Sequence, residues 1–541
     1  MEHTPHNTTE VLIVGAGPTG LMMACQLAIH RIPFRIIDKN SAPSQHSGAL
    51  IVQARTLEIL EQMGISSEAI KEGIVADEID ILFSGKRIAG TSIKAIGKNL
   101  SQFPFLLMLE QSKTEKLLLN FLKERGRYVE RNVRFMRFTN DTNRITSEVM
   151  MTDGNMQTIV SNYLIGADGS KSAIREFLQI PFEGKTYPKP IYILDCKAAS
   201  QIRSGAITFA FSGKSVAGFF PLPNQRWRGD GSFPDSIKKS ENISLETVSE
   251  GFRHWNNLHF DVSECDWFSV SHSQQKYART IRVGNCFLAG DSAHVNSPVG
   301  AQGMNTGLQD SHNLAWKLAF VLKGIAKPEL LDSYSGERLG ISKGFARYAD
   351  VFFKLVARTN IAARLFRTIA LKLFFKSIFP KLENNEKWRL QFFKAISQID
   401  IRYKPTFGST PDLERLFPLT APKSGYRLPH VEFRLENKLT STFQLLSTTG
   451  FTLFVMADEF THEIKSLAEK HEFTTFLIKQ EPGTDIIYKT LGITNTGYYL
   501  IRPDMYIAIR SATLDARALE RYSSLLFKET AYETTELPVR I

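Results

Sequence analysis

The sequence predicts an α/β protein: a parallel sheet assembled from distant stretches of chain, a β-rich insertion, and a separate α/β domain toward the C-terminal end. Three observations predict it. The stretch "EVLIVGAGPTGLMMACQLAIHRIPFRIIDKN" reads as strand, glycine turn, helix, strand and acid. Two later apolar runs, "NYLIGADG" and "NCFLAGD", also end in an aspartate. After residue 424 short strands and helices alternate again. In an open parallel sheet, ligands gather at the carboxyl ends of the strands. The four ends at residues 15, 38, 168 and 291 therefore share one crevice if the sheet draws strands from all these stretches.

Residues 11–14 form the expected first strand, 21–29 the helix and 34–37 the second strand. Gly15, Gly17 and Gly20 supply the G-x-G-x-x-G turn of a Rossmann-like dinucleotide site, completed by Pro18 and Thr19. The first glycine permits the tight turn, the second admits a pyrophosphate, and the third lets helix and strand pack. The helix N-terminus faces the phosphate charge. Asp38 is placed to accept a ribose hydroxyl, and Lys39 beside it is a further candidate for the nucleotide. Asp168 precedes the helical "SKSAIRE" and fits a helix cap as well as a ligand contact.

The stretch "GDSAHVNSPVGAQGMNTGLQD" carries the chemistry. Gly290 and Asp291 close a strand, and Asp291 is suited to a polyol-like linker. Pro298 and the glycines let backbone lie against a flat ring. Gly303, Met304 and Asn305 begin a helix whose N-terminus, worth about +0.5 charge, would stabilise an anion on that ring. FAD fits this description and nicotinamide does not, because FAD has a ribityl chain and gains negative charge when reduced. Leu308, Ala315, Leu318, Ala319 and Leu322 mark the buried side of the helix, and Gly324 its stop. Pro298, Gly303, Met304 and Asn305 are thus the catalytic candidates, acting through backbone and position; no protein nucleophile is required.

The 541 residues suffice for several domains, and no apolar run approaches the ~18 residues of a membrane span. A polar start, "MEHTPHNTTE", leads to the expectation of a cytoplasmic protein. Cys25, Cys196, Cys265 and Cys286 are too scattered for a zinc site or a dithiol, and no metal is expected. The net charge of +11 is regional: residues 354–394 hold ten Lys or Arg against two acids. A helix buried against neighbours is the favoured reading of that Phe-rich segment. Contact with a membrane surface is the lesser one, and nucleic acid is excluded by the lack of a recognition motif. Homodimerisation completes the expected partners.

Residues 181–275, joined by part of 75–110, form the expected β-rich substrate domain. Phe209, Phe211, Phe219 and Phe220 are candidates to line an aromatic pocket, against the plainer reading of core. Tyr192, with His272, is a candidate to orient substrate. Residues 1–180 and 276–420 make up the cofactor-binding domain with a helical extension, and 425–541 the tail.

With these residues in view, the chain resembles the single-component FAD-dependent aromatic monooxygenases, the phenol and para-hydroxybenzoate hydroxylase superfamily. The likeness rests on "GAGPTG", "GADGSKSAIR", and "GDSAHVNSPVGAQGMNTGLQDSHNLAWKLAFVLKG" followed by "LLDSYSGER". It implies NADPH or NADH as hydride donor to FAD, and dioxygen adding at the flavin C4a to give a hydroperoxide. A small aromatic or polyketide-like substrate then receives one oxygen. It also implies a flavin-nucleotide contact for Gln111, a site role for Arg55, which matches the family together with Glu58, and contacts of Asp168 and Gly169 with both FAD and NAD(P)H. The departures are Gly48 and Ile51 where an Arg and a Gly are usual, Asp38 for Glu, and Ala301 for Gly. The tail resembles the thioredoxin-like domain of the larger hydroxylases without Cys-x-x-Cys. The rival readings are a flavin halogenase, whose Trp-x-Trp-x-Ile-Pro signature is missing, a flavin oxidase, and a non-catalytic flavin-carrying interaction protein.

Overall fold

The computed structural model describes residues 7–44, 48–141, 144–234, 237, 243–296, 302–341, 344, 369–404 and 415–528. The chain divides into two compact units, residues 1–315 with 337–401, and residues 316–336 with 402–541.

In the first unit the strand Thr8–Val14 lies between Met156–Gly166 and Phe34–Asp38, and Cys286–Leu288 extends the sheet beyond Met156–Gly166. All three pairings are parallel, so strands distant in sequence end on one edge. Val11, Leu12 and Ile13 have no exposure at all. A parallel sheet is covered on both faces, which is why this strand is continuously apolar rather than alternating.

A second sheet has eight strands. At its centre Phe182–Ser200, Arg226–Ser232, Val216–Leu222 and Ala206–Phe211 pair antiparallel in that order. Glu78–Phe83 then joins Ala206–Phe211 in parallel and pairs with Lys86–Ser92. Side chains alternate across such a sheet, and the alternation sorts the aromatic residues. Tyr192 and Phe219 face away from the cavity described below, packed with Trp227, Phe252 and Phe260 in a core that the helix Leu245–Asn256 helps to form. The substrate role expected of Tyr192 and Phe219 is therefore corrected: both are core. Phe209 and Phe220 share the opposite face and meet edge to face at 5.9 Å. Phe211, also expected in the pocket, is buried against Phe375, 5.7 Å between ring centres.

The basic segment is only partly within the described residues. Its helix Leu371–Asn384 buries Phe379 and Leu382, while Leu373 and Phe374 are more than half exposed. The helix is thus packed against neighbours on one side, and part of its apolar surface is exposed. Its contact with Lys86–Ser92 and with Phe211 is one-sided.

The second unit is built on a four-stranded sheet in the order Thr474–Ile478, Thr452–Met456, Gly497–Ile501, Ile507–Ser511. The first pair is parallel and the other two antiparallel, with the helix His462–Lys470 connecting the parallel strands, a thioredoxin-like arrangement. Trp316 and Phe320 belong to its core, where Trp316 meets Phe451 at 5.7 Å. The compact unit that holds the tail spans residues 316–336 and 402–541. Among the described residues no helix is long and apolar enough to cross a membrane.

Candidate active site

A cavity of about 440 Å³ opens at the converged strand ends. Gly17, Pro18 and Thr19 line it from the glycine turn, Ala167 and Gly169 from the second strand end, and Asp291 from the third. Gln302, Gly303 and Met304 enter from the start of the helix Gly303–Leu322. Ile193, Phe220, Arg228 and Asp230 form a wall from the mixed sheet, and Gly48 to Ile51 with Gln111 form another side.

The glycines have separate tasks. Gly15 has φ +103, and a Cβ on it would fall 2.3 Å from the Ala167 carbonyl oxygen. A Cβ on Gly20 would fall 1.9 Å from the Gly15 carbonyl oxygen, so bare backbone is what lets the helix Pro18–Ile29 close on the strand. Gly17 meets nothing within 4 Å and instead keeps space open at a helix N-terminus that no side chain caps. Thr19 sits against Gly290 and Gly307, where a Cβ on either would lie 2.3 Å from its Oγ1. Ser311 Oγ donates to the Thr19 carbonyl at 2.8 Å. The two glycine-rich motifs, so far apart in sequence, thus lock directly together.

Asp291 lines the cavity and is exposed to it, while the density of protein around it raises its carboxyl above the usual range against the pull of His294. A polyol hydroxyl donating to it would relieve that cost. Gln111 Oε1 accepts the Ala49 N–H at 3.1 Å and its Nε2 donates to Glu115 at 3.0 Å, which ties the loop at Gly48 to the helix Gln111–Lys123.

Several expected site residues do other work. Asp38 accepts the Ala16 N–H at 2.6 Å and the Asn40 N–H at 2.8 Å, which ties its carboxylate to the turn, and it is not in the cavity lining. Asp168 caps a helix: its Oδ2 accepts from Ala173 N at 2.7 Å and Ile174 N at 3.3 Å, while its buried Oδ1 has no partner. Arg55 is buried against Glu58 at 3.2 Å and is not in the lining. Asn305 is a positioning residue, because its Oδ1 accepts from Gln53 N at 3.0 Å and Thr56 Oγ1 at 2.7 Å, and its Nδ2 donates to the Ile51 carbonyl. Lys39 is exposed. Pro298 and Ala301 lie outside the described residues.

Behind the cavity is a network the motif reading missed. Asp310 accepts from Gly290 N at 3.0 Å and from Arg338 Nε at 2.7 Å, and meets His294 Nε2 at 2.7 Å. Gln398 bonds to Gln302 and, at 3.2 Å, to Thr306 Oγ1, tying the helix Glu386–Ser397 to the first turn of Gly303–Leu322. The signal was present in "GLQDSH" and "SGER", but their meeting depends on chain far apart.

The donors fit FAD. A bare helix N-terminus suits a pyrophosphate, a cavity-facing carboxylate a polyol, and a second helix N-terminus the electron-accepting edge of a ring. Fold and site together define a flavin-nucleotide oxidoreductase. Residues 8–349 match the family described as FAD binding domain, and 421–528 the one described as aromatic-ring hydroxylase, C-terminal. A 6-methylpretetramide 4-monooxygenase of Streptomyces rimosus is 31% identical over 549 residues, spanning 96% of this chain and 95% of that protein. A pentachlorophenol 4-monooxygenase of Sphingobium chlorophenolicum is 31% identical over 450 residues, spanning 82% and 79%. The solved aklavinone-11 hydroxylase, a ternary complex with FAD and aklavinone, shares the fold with a TM-score of 0.78 at 21% identity, covering 95% of this chain and 98% of that one. The chain belongs to the FAD-dependent aromatic-ring monooxygenases.

Proposed function

We propose that this enzyme uses NADH or NADPH and dioxygen to hydroxylate an aromatic or polyketide-like small molecule. The observation that carries the reading is the joint lining of one cavity: Gly17, Asp291 and Gly303 on the cofactor side, Ile193, Phe220, Arg228 and Asp230 on the other. At about 440 Å³ the space is of the size that takes small molecules. The named relatives are a 6-methylpretetramide 4-monooxygenase and a pentachlorophenol 4-monooxygenase, and Phe220 with Ile193 offers an apolar surface to a flat ring.

Bound FAD supplies electron transfer and oxygen activation. The chain supplies position and environment. Gly17 leaves room for phosphate at the helix N-terminus, and Asp291 orients the linker. The first N–H groups of the helix at Gly303 have no partner within it and stabilise negative charge at the ring. Phe220, backed by Phe209, limits water in the cavity.

The test is turnover with labelled dioxygen across phenols and polyketide aromatics, read by mass spectrometry of the product. Label in the organic product supports the reading. Label confined to peroxide for every aromatic that accelerates NAD(P)H oxidation makes the protein an oxidase instead.

A further inference from the structure

The mixed-sheet wall of the cavity carries two charged side chains, and they are not equivalent. Arg228 is committed: its Nε and Nη2 donate to Asp195 Oδ1 and Oδ2, each at 2.7 Å, with both side chains about 4% exposed. Its charge is therefore neutralised in place. Asp230 stands two residues further along the same strand, on the same face, and lines the cavity with Phe220 and Ile193. Gly218 is its cross-strand partner, and a Cβ there would fall 2.5 Å from Asp230 Oδ1, so the glycine keeps the place for the carboxyl. Burial pushes this carboxyl up to about 6, against the pull of Arg228 and the Gly218 N–H.

We propose that Asp230 is a catalytic residue that accepts the phenolic proton of a hydroxylated aromatic substrate. This rests on the monooxygenase reading above and names the group by which that site recognises its substrate. The hydroxyl O–H is directed at the Asp230 carboxylate. As the ring gives up electron density, the O–H bond breaks, its electron pair stays on the substrate oxygen, and the proton passes to a carboxylate oxygen of Asp230. The oxygen so charged conjugates with the ring and enriches the carbons ortho and para to it. A base whose acidity lies near the working pH is suited to such a transfer. The same arrangement selects the substrate class. An aromatic carboxylate meets a like charge at Asp230 and an Arg228 already paired, whereas a neutral phenol meets an acceptor.

The test compares FAD-loaded wild type with Asp230→Asn, using phenol and benzoate as binding probes at about pH 8, where phenol is neutral and the Asp230 carboxylate is charged. FAD content reports the integrity of each variant, and Asp230→Ser replaces the amide variant if FAD is not retained. Wild type is expected to prefer the phenol at least tenfold, and the substitution to remove about tenfold of that preference. For phenols that are hydroxylated, kcat of the variant should fall by ~100-fold for the least acidic and much less for the most acidic, a trend that a packing role does not produce. No binding of phenol by wild type, the same preference in the variant, or an equal loss for all phenols overturns the assignment. Discrimination that depends on Asp230, with no label entering any phenol, instead sinks the monooxygenase reading and leaves Asp230 as the hydroxyl acceptor.

Discussion

Arg338 holds Asp310 from behind the cavity: Nε donates to Oδ1 at 2.7 Å, and both residues are about 1% exposed. The other carboxylate oxygen accepts from Gly290 N and meets His294, so one buried acid fixes the residue just before Asp291. Removing one partner of a buried pair leaves a charge without compensation, which costs ~3–5 kcal/mol. Asp310→Ala should therefore lower the urea midpoint of FAD-free protein by that much stability, and weaken FAD binding as well. An unchanged midpoint would mean that Arg338 finds another partner.

The same acid predicts sensitivity to low pH. Burial alone would raise the Asp310 carboxyl, but His294 and Arg338 outweigh it and lower it to about 2. The folded value lies below the unfolded one, so the unfolded chain takes up the proton first as pH falls. The stabilisation is complete above about pH 4 and lost as pH drops toward 2, an effect on the order of 2 kcal/mol. Urea midpoints measured from about pH 6 down to 3 should fall more steeply in wild type than in Asp310→Asn. Parallel curves would remove Asp310 as the cause.

Much of this architecture was legible because local pattern and global fold agree. The apolar run ending at Gly15, the glycine spacing and the acid at residue 291 each announce a strand end, and the parallel sheet brings them to one edge. The internal bonds of Asp38 to the turn and of Asn305 to Gln53 and Thr56 were not legible, because they depend on chain brought together only by the fold. Tyr192 and Phe219 could not be separated from Phe209 and Phe220 without knowing which face of the sheet meets the helix Leu245–Asn256. Asp230 had no motif at all. Its significance comes from lining the cavity opposite Gly218 on the next strand, which only cross-strand register reveals.

Asp291→Ala should weaken FAD binding by ten- to a hundred-fold, the loss of a charge-assisted hydrogen bond worth ~1.5–3 kcal/mol. The stability of FAD-free protein should change little, since Asp291 is an exposed side chain there. Flavin fluorescence titration measures the first effect and urea unfolding the second. An unchanged dissociation constant would take Asp291 out of the site.

Gly17 and Gly20 should separate binding from folding. Gly17→Ala adds a methyl group to open space and, as a helix cap change, should alter the stability of FAD-free protein by under ~1 kcal/mol while reducing FAD affinity. Gly20→Ala drives a methyl into the Gly15 carbonyl and should destabilise the fold itself by ~3 kcal/mol or more. Similar behaviour of the two variants would contradict this division of labour.

Gly48 lines the cavity with ordinary backbone geometry, and a Cβ there meets only Gln111 Oε1, at 3.4 Å. Gln111 already accepts the Ala49 N–H, so it must yield by a few tenths of an ångström, which a side-chain amide can do. Gly48 shares the cavity with the helix N-terminus at Gly17, so a guanidinium there would share it with the phosphates expected at that terminus. Charge-assisted hydrogen bonds to phosphate are short and strong. Gly48→Arg should accordingly tighten FAD by about tenfold, from one such bond worth ~1.5 kcal/mol. The dissociation constant should also become more sensitive to salt. Titration of the FAD-free variant at two salt concentrations measures both. Weaker binding by a folded variant would show that the space at Gly48 is required by the cofactor or the substrate.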